Sequence, residues 1–213
     1  ENWEKNRDWI PRVERIYLLR AKPVTQLKFE KMVSDIGNVK RLFHGTSQDP
    51  ACMFGTYQSR PPCCGTECNV CSILKSSFQL AGRAGNGPGG QRWRSMGLPT
   101  HLRYGRGLYF SSVSSKSHDY NASSERLQNA PKGKKRRFRI MLICSVALGK
   151  QFRTQETRLP LDDVYPPIGY DSLEGVTSPG GLNYPECVVY DERQVIPQYV
   201  IVYSTHFNYP SHD

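Results

Sequence analysis

No stretch of the 213-residue chain approaches the roughly 18 consecutive apolar residues that a membrane-spanning helix needs, and the longest apolar runs, Ile140–Leu148 and Val195–Tyr203, are short. A helical membrane protein is excluded and a soluble chain expected. The first residue is Glu1 rather than Met, and no basic-then-apolar leader precedes the first elements, so the chain reads as an expressed fragment or a processed product. No internal repeat is visible. Acidic residues are scarce beside basic ones, 19 against 29, which leaves a net charge of +10 and favours anionic partners.

Disorder is excluded by what is present: 38% hydrophobic residues, with 12 Tyr and 8 Phe. The length suits one domain, residues 1–213, and 18 Gly with 15 Pro make it rich in loops. The seven cysteines are an odd number, and Cys63, Cys64, Cys68 and Cys71 crowd together. That pattern suits metal binding better than a secreted disulfide framework and favours an intracellular setting, nuclear or cytoplasmic. Cys64, Cys68 and Cys71, with Cys52 or Cys63 as the fourth thiolate, fit a closed tetrahedral zinc site, with reduced thiols and disulfides as the alternatives.

The basic charge is concentrated in Lys132, Lys134, Lys135, Arg136, Arg137 and Arg139, with a second group at Arg83, Arg92, Arg94, Arg103 and Arg106. The first run is either a solvated loop guarding a buried strand or a surface for nucleic acid or phosphate. Hydrophobic spacing predicts an extended segment over 13–19 and a helix over 25–36 with Leu27, Phe29, Met32, Val33 and Ile36 on its apolar face. It also predicts a strand ending at His44, a Cys- and Pro-rich insert at about 50–72, and a helix over 71–80. A Gly- and Arg-rich loop over 81–103 follows, of a length usually functional or disordered. Beyond it come a short strand over 108–110, a segment over 111–120 that allows a helix, a basic loop and a central strand over 138–148. Two further strands are expected over 186–190 and 198–203. The fold class is therefore α+β: a mixed, mainly antiparallel sheet core with few helices and long loops.

Three separated segments resemble the catalytic domain of the poly(ADP-ribose) polymerase family. They are Leu42-Phe43-His44-Gly45-Thr46; Tyr104-Gly105-Arg106-Gly107-Leu108-Tyr109-Phe110 running on to Ser115-Lys116-Ser117-His118-Asp119-Tyr120; and Tyr184-Pro185-Glu186-Cys187-Val188-Val189-Tyr190. Gly169-Tyr170-Asp171-Ser172 and Gln198-Tyr199-Val200-Ile201 also look like the tankyrase branch. The resemblance covers about residues 12–204, leaves no room for a helical regulatory domain, and implies the ADP-ribosyltransferase fold. It also implies that NAD is cleaved at the nicotinamide–ribose bond and ADP-ribose passed to an acceptor. Toxin-like arginine transferases, which use a Glu-x-Glu pair, are disfavoured because Tyr184 stands two before Glu186.

Cleaving that bond needs a held carboxamide, a stacked pyridinium, fixed riboses and a carboxylate against an oxocarbenium-like transition state. The resemblance assigns catalysis to Glu186, His44 and Tyr109, with Glu186 on the nicotinamide ribose and His44 on the adenosine ribose. It places the carboxamide on the Gly45 backbone and the Ser117 hydroxyl, the ring between Tyr120 and Tyr109, and Thr46 where the family commonly has Ser. Loop 81–103 would stand in for the donor loop. The cysteine insert follows the His-Gly motif, whereas the tankyrase-like zinc site follows the Gly-x-Gly-x-Tyr-Phe strand, so a zinc here is a different one. The expected acceptor is protein, with nucleic-acid ends or phosphates second. A silent module reading NAD or ADP-ribose, or a nucleic-acid-binding domain with a relic site, are the rival classes.

Overall fold

The computed structural model describes residues 9–49, 51–55, 61–63, 68–80, 102–121, 126–129, 135–159 and 166–207. A run such as Ile140–Leu148, apolar without alternation, forms a strand only where both faces are covered. The fold supplies this. Strand β5 (Lys135–Ala147) lies inside a five-stranded sheet ordered β1 (Trp9–Leu18), β9 (Val195–Phe207), β5, β2 (Val39–His44), with β4 (Arg126–Asn129) also paired to β5. Phe138, Ile140, Leu142, Cys144 and Val146 enter the main core on one face, while Ala147 on the other meets Phe29 of helix α1 (Pro23–Ile36) together with Ile196.

Helix α1 begins with Pro23, whose fixed φ suits the first turn, and ends at Gly37, where φ is 66° and the N–H returns to the Val33 carbonyl. Its inner face is Phe29 with Met32, Val33 and Ile36. Leu27, expected on that face, is instead 65% exposed, because residues two apart on a helix point to opposite sides.

A second, four-stranded sheet is ordered β3 (Leu108–Phe110), β8 (Glu186–Val189), β7 (Ser172–Gly175), β6 (Gln151–Thr154). Among the described ladders only β6 with β7 is parallel, so the α+β, mainly antiparallel class holds. A backbone bridge joins the two sheets. Phe43 and Ser111 exchange backbone hydrogen bonds of 2.8 and 3.0 Å, which sets the end of β2 against the end of β3.

Three expectations change. Strands β4, β6 and β7 carry too little apolar patterning to have been anticipated, and β4 falls where a loop was expected. Helix α2 runs Asn69–Ser76 rather than over 71–80, because Ser77 turns to φ 65°. The basic run is not one loop: Lys135 onward is strand β5, and Arg139 is 9% exposed and donates to the His118 carbonyl at 3.2 Å. Lys132, Lys134, the arginines Arg83, Arg92 and Arg94, and most of the loop over 81–103 lie outside the described residues. Among the described residues no helix is long and apolar enough to cross a membrane.

Candidate active site

The three motifs converge at the bridge between the sheets. His44 closes β2, and its Nδ1 lies 2.9 Å from the Tyr109 carbonyl of β3. Because a carbonyl only accepts, Nδ1 must carry the hydrogen, which leaves Nε2 as the acceptor in the neutral ring. Burial lowers the His44 pKa from its ordinary 6.5, against the opposing pull of the Tyr109 carbonyl. The ring is fixed by the edge contact with Phe78 at 4.9 Å and the tilted contact with Phe110 at 5.4 Å.

A histidine whose folded pKa is lowered takes up its proton more readily in the unfolded chain. The resulting stability is present above 6.5, declines as pH falls below that value, and is lost once pH passes the folded pKa. Urea midpoints measured across this acidic range should therefore fall with pH, and His44→Gln should remove that component of the slope. An identical slope in the variant contradicts the assignment.

Strand β3 pairs with β8 so that Tyr109 faces Val188 and Phe110 faces Cys187, which carries Glu186 to the position opposite Ser111. The Ser111 hydroxyl donates to the Pro185 carbonyl at 2.7 Å and holds the start of β8. Gly107 permits this pairing, since a Cβ there would stand 2.2 Å from the Val188 side chain. The Tyr109 hydroxyl donates to the Gly105 carbonyl at 2.7 Å and accepts from the Tyr104 N–H at 3.0 Å. Burial pushes the Tyr109 phenol well above its ordinary range, so it offers a neutral ring to the site.

After Ser111 the chain enters the short helix α3 (Ser114–Asp119), which presents Lys116 and Ser117. The Lys116 ammonium lies 2.7 Å from Glu186 Oε1, with the side chains 13% and 4% exposed. Sequence alone assigns Lys116 no role, because the carboxylate it meets lies on a strand far along the chain. Lys116→Met should lower stability by about 1.5–3 kcal/mol, the range for a hydrogen bond to a charged group. Lys31→Met breaks a pair with Asp35 whose members are 75% and 53% exposed, and should cost well under about 1 kcal/mol. Denaturant titration of both variants checks the contrast, and equal losses would contradict it.

Together these residues line a cavity of about 360 Å³. Its walls include His44, Gly45, Thr46, Tyr109, Ser117, Tyr120 and Glu186, so the predicted polar and aromatic set is gathered in one place. Tyr120 stands at the rim, 57% exposed, and Glu186 is 3% exposed. Gly45 lies so close to α3 that a Cβ would stand 1.8 Å from the Ser117 carbonyl oxygen. Asn69, Ser72, Ile73, Ser77 and Phe78 of the α2 region, which the motifs did not point to, supply a further wall. Cys187, next to Glu186, is pushed up to about 12 chiefly by burial and remains a protonated thiol.

The cysteine insert gathers Cys52, Cys63, Cys68 and Cys71, with sulfurs all within 4.8 Å of one another, a group that can hold a metal ion. Both candidates for the fourth position are therefore included. Cys64 lies outside the described residues.

A family profile described as the poly(ADP-ribose) polymerase catalytic domain matches residues 63–205. The chain is 35% identical over 104 residues to the protein mono-ADP-ribosyltransferase PARP4 of Homo sapiens, covering 47% of this chain and 5% of that protein. It is 28% identical over 179 residues to PARP4 of Mus musculus, covering 82% of this chain and 7% of the relative. The chain thus spans less than a tenth of the length of either relative. Tyr109, Ser117, Tyr120 and Glu186 fall inside the profile match, whereas His44, Gly45 and Thr46 precede it and join the site through the contacts above.

Proposed function

Since the chain belongs to the poly(ADP-ribose) polymerase catalytic-domain family, we propose that it is an ADP-ribosyltransferase that uses NAD as its substrate, releases nicotinamide and passes ADP-ribose to protein. The observation that carries this reading is the buried Glu186 carboxylate, paired to Lys116 in the wall of the cavity that His44, Tyr109 and Tyr120 also line.

In this reading the nicotinamide carboxamide meets the Gly45 backbone and the Ser117 hydroxyl, and its ring sits between the faces of Tyr109 and Tyr120. His44 Nε2, neutral for the reason given above, accepts a hydrogen bond from the adenosine ribose, with Thr46 beside it. Glu186 binds the nicotinamide ribose. As the bond from ribose C1′ to the ring nitrogen breaks, its electron pair leaves with nicotinamide, and the Glu186 charge stabilises the cationic sugar that remains. Lys116 holds that carboxylate in a single orientation, so little rearrangement is needed when the sugar becomes positive. The four-thiol cluster enters the same reading as a structural zinc site.

The names of the two relatives support transfer of single ADP-ribose units. Nucleic-acid ends or phosphates are the second reading of the acceptor, supported by the net charge of +10. Arg139 no longer contributes to it, being inside the fold. Labelled NAD offered side by side to a protein mixture, DNA and RNA separates the two. Label on protein is the expected result. Label on oligonucleotides that fades steeply as salt rises, as phosphate contacts release counterions, would replace the protein reading.

A further inference from the structure

Helix α2 has only eight residues and its N-cap, Cys68, makes no side-chain capping hydrogen bond. A helix this short does not hold together in water by itself. Yet Ser72, Ile73 and the following Phe78 form a wall of the cavity, with Phe78 set edge-on against His44 at 4.9 Å. Something outside the helix must fix it, and the cysteines are placed to do so. Cys68 and Cys71 stand at its first turn, Cys52 lies on the loop that leaves the His-Gly-Thr turn, and Cys63 lies on the segment between.

The geometry points to a zinc ion on Cys52, Cys63, Cys68 and Cys71 that pins α2 to the loop following His44 and so holds that wall of the cavity in place. Four sulfurs about 2.3 Å from a tetrahedral zinc lie about 3.8 Å apart. The four sulfurs here are all within 4.8 Å of one another, with Cys52 and Cys71 3.4 Å apart, so an ion fits with small adjustments. The described cysteines are thiols rather than disulfides. Cys52, Cys68 and Cys71 are at most 2% exposed, and no position is left open for water, which makes the site structural. The Cys63 N–H donates to Cys71 Sγ at 3.2 Å, the kind of outer support that orients a metal-bound thiolate. Around the cluster the backbone links the same pieces: the Val70 N–H donates to the Ser47 carbonyl at 3.2 Å, and Asn69 Nδ2 to Ser47 Oγ at 2.8 Å. Val70 and Phe78 also pack into the main core, and the metal adds a tie at the first turn of the helix, where these contacts leave the loop 47–55 and the segment at Cys63 to be joined. Its effect on NAD rests on the transferase reading, while the metal centre itself does not.

The experiment uses the intact chain. Elemental analysis should give about one zinc per molecule, and cobalt(II) exchanged into the site should show the visible absorption of a tetrahedral thiolate complex. A strong chelator should then speed amide hydrogen exchange in the segments around 47–55 and 68–78, with β5 and β9 unchanged, and weaken NAD binding at least about fivefold, within the range common for coupled sites. Added zinc should reverse both effects, a control that does not depend on whether a cysteine variant folds. Less than about a tenth of an equivalent of zinc overturns the proposal. So does bound zinc whose removal leaves exchange in the α2 region unaltered. Zinc bound and exchange responding as described, but with no NAD binding in either form, upholds the metal centre and sinks the transferase reading instead.

Discussion

Replacing Glu186 with Gln should lower nicotinamide release by about 10²–10³-fold, the usual worth of one preorganised electrostatic contact to a transition state. NAD affinity should change little. The amide keeps the shape of the side chain and can still hydrogen-bond a ribose hydroxyl, but it brings no negative charge to the sugar as the nicotinamide leaves. A carboxylate 3% exposed acts through a poorly screening environment, so its charge counts for more there than at the surface. The substitution also leaves Lys116 facing a neutral partner 2.7 Å away, which predicts a modest loss of stability beside the large loss of rate. Steady-state kinetics with a separate NAD-binding titration checks both. A folded variant with unchanged turnover removes Glu186 from the chemistry.

Gly45→Ala should be nearly as damaging, and through position rather than charge. Its new methyl would stand 1.8 Å from the Ser117 carbonyl oxygen and 2.9 Å from Asn121 Oδ1, far inside contact distance. Ser117 belongs to the backbone of α3, so the helix must move as a body, carrying Lys116 away from Glu186 and Tyr120 away from the rim. Displacements of about 1 Å at a reacting centre can cost about 10²-fold in rate. NAD binding should also weaken, because the Gly45 backbone and the Ser117 hydroxyl are the proposed carboxamide contacts. Parallel measurement of NAD affinity and turnover tests this, and an alanine variant with ordinary values of both would show that α3 does not need the close approach.

Much of this site was legible in the sequence because its residues sit at the ends of strongly apolar strands. Leu42 and Phe43 mark the strand that delivers His44, and the run from Cys187 to Tyr190 marks the one that begins at Glu186. The weaker strands were not legible: β6 (Gln-Phe-Arg-Thr) and β7 (Ser-Leu-Glu-Gly) hold one large apolar residue each, and they are placed by their ladders, β7 on β8 and β6 on β7. Lys116 was missed because its role depends on a partner 70 positions further along the chain, a relation no local pattern expresses. The α2 wall was missed for a similar reason. Its amphipathic spacing gives a helix, but the contacts that bring that helix to the cavity, such as Phe78 against His44 and Asn69 against Ser47, join residues far apart in the chain.

The most direct test is the time course of nicotinamide release when the chain is mixed with NAD, followed past one equivalent. The account predicts release that continues beyond one nicotinamide per protein molecule and depends on Glu186. NAD bound at one per chain with no nicotinamide released, in the presence or absence of protein acceptors, would contradict it and leave a binding module in its place.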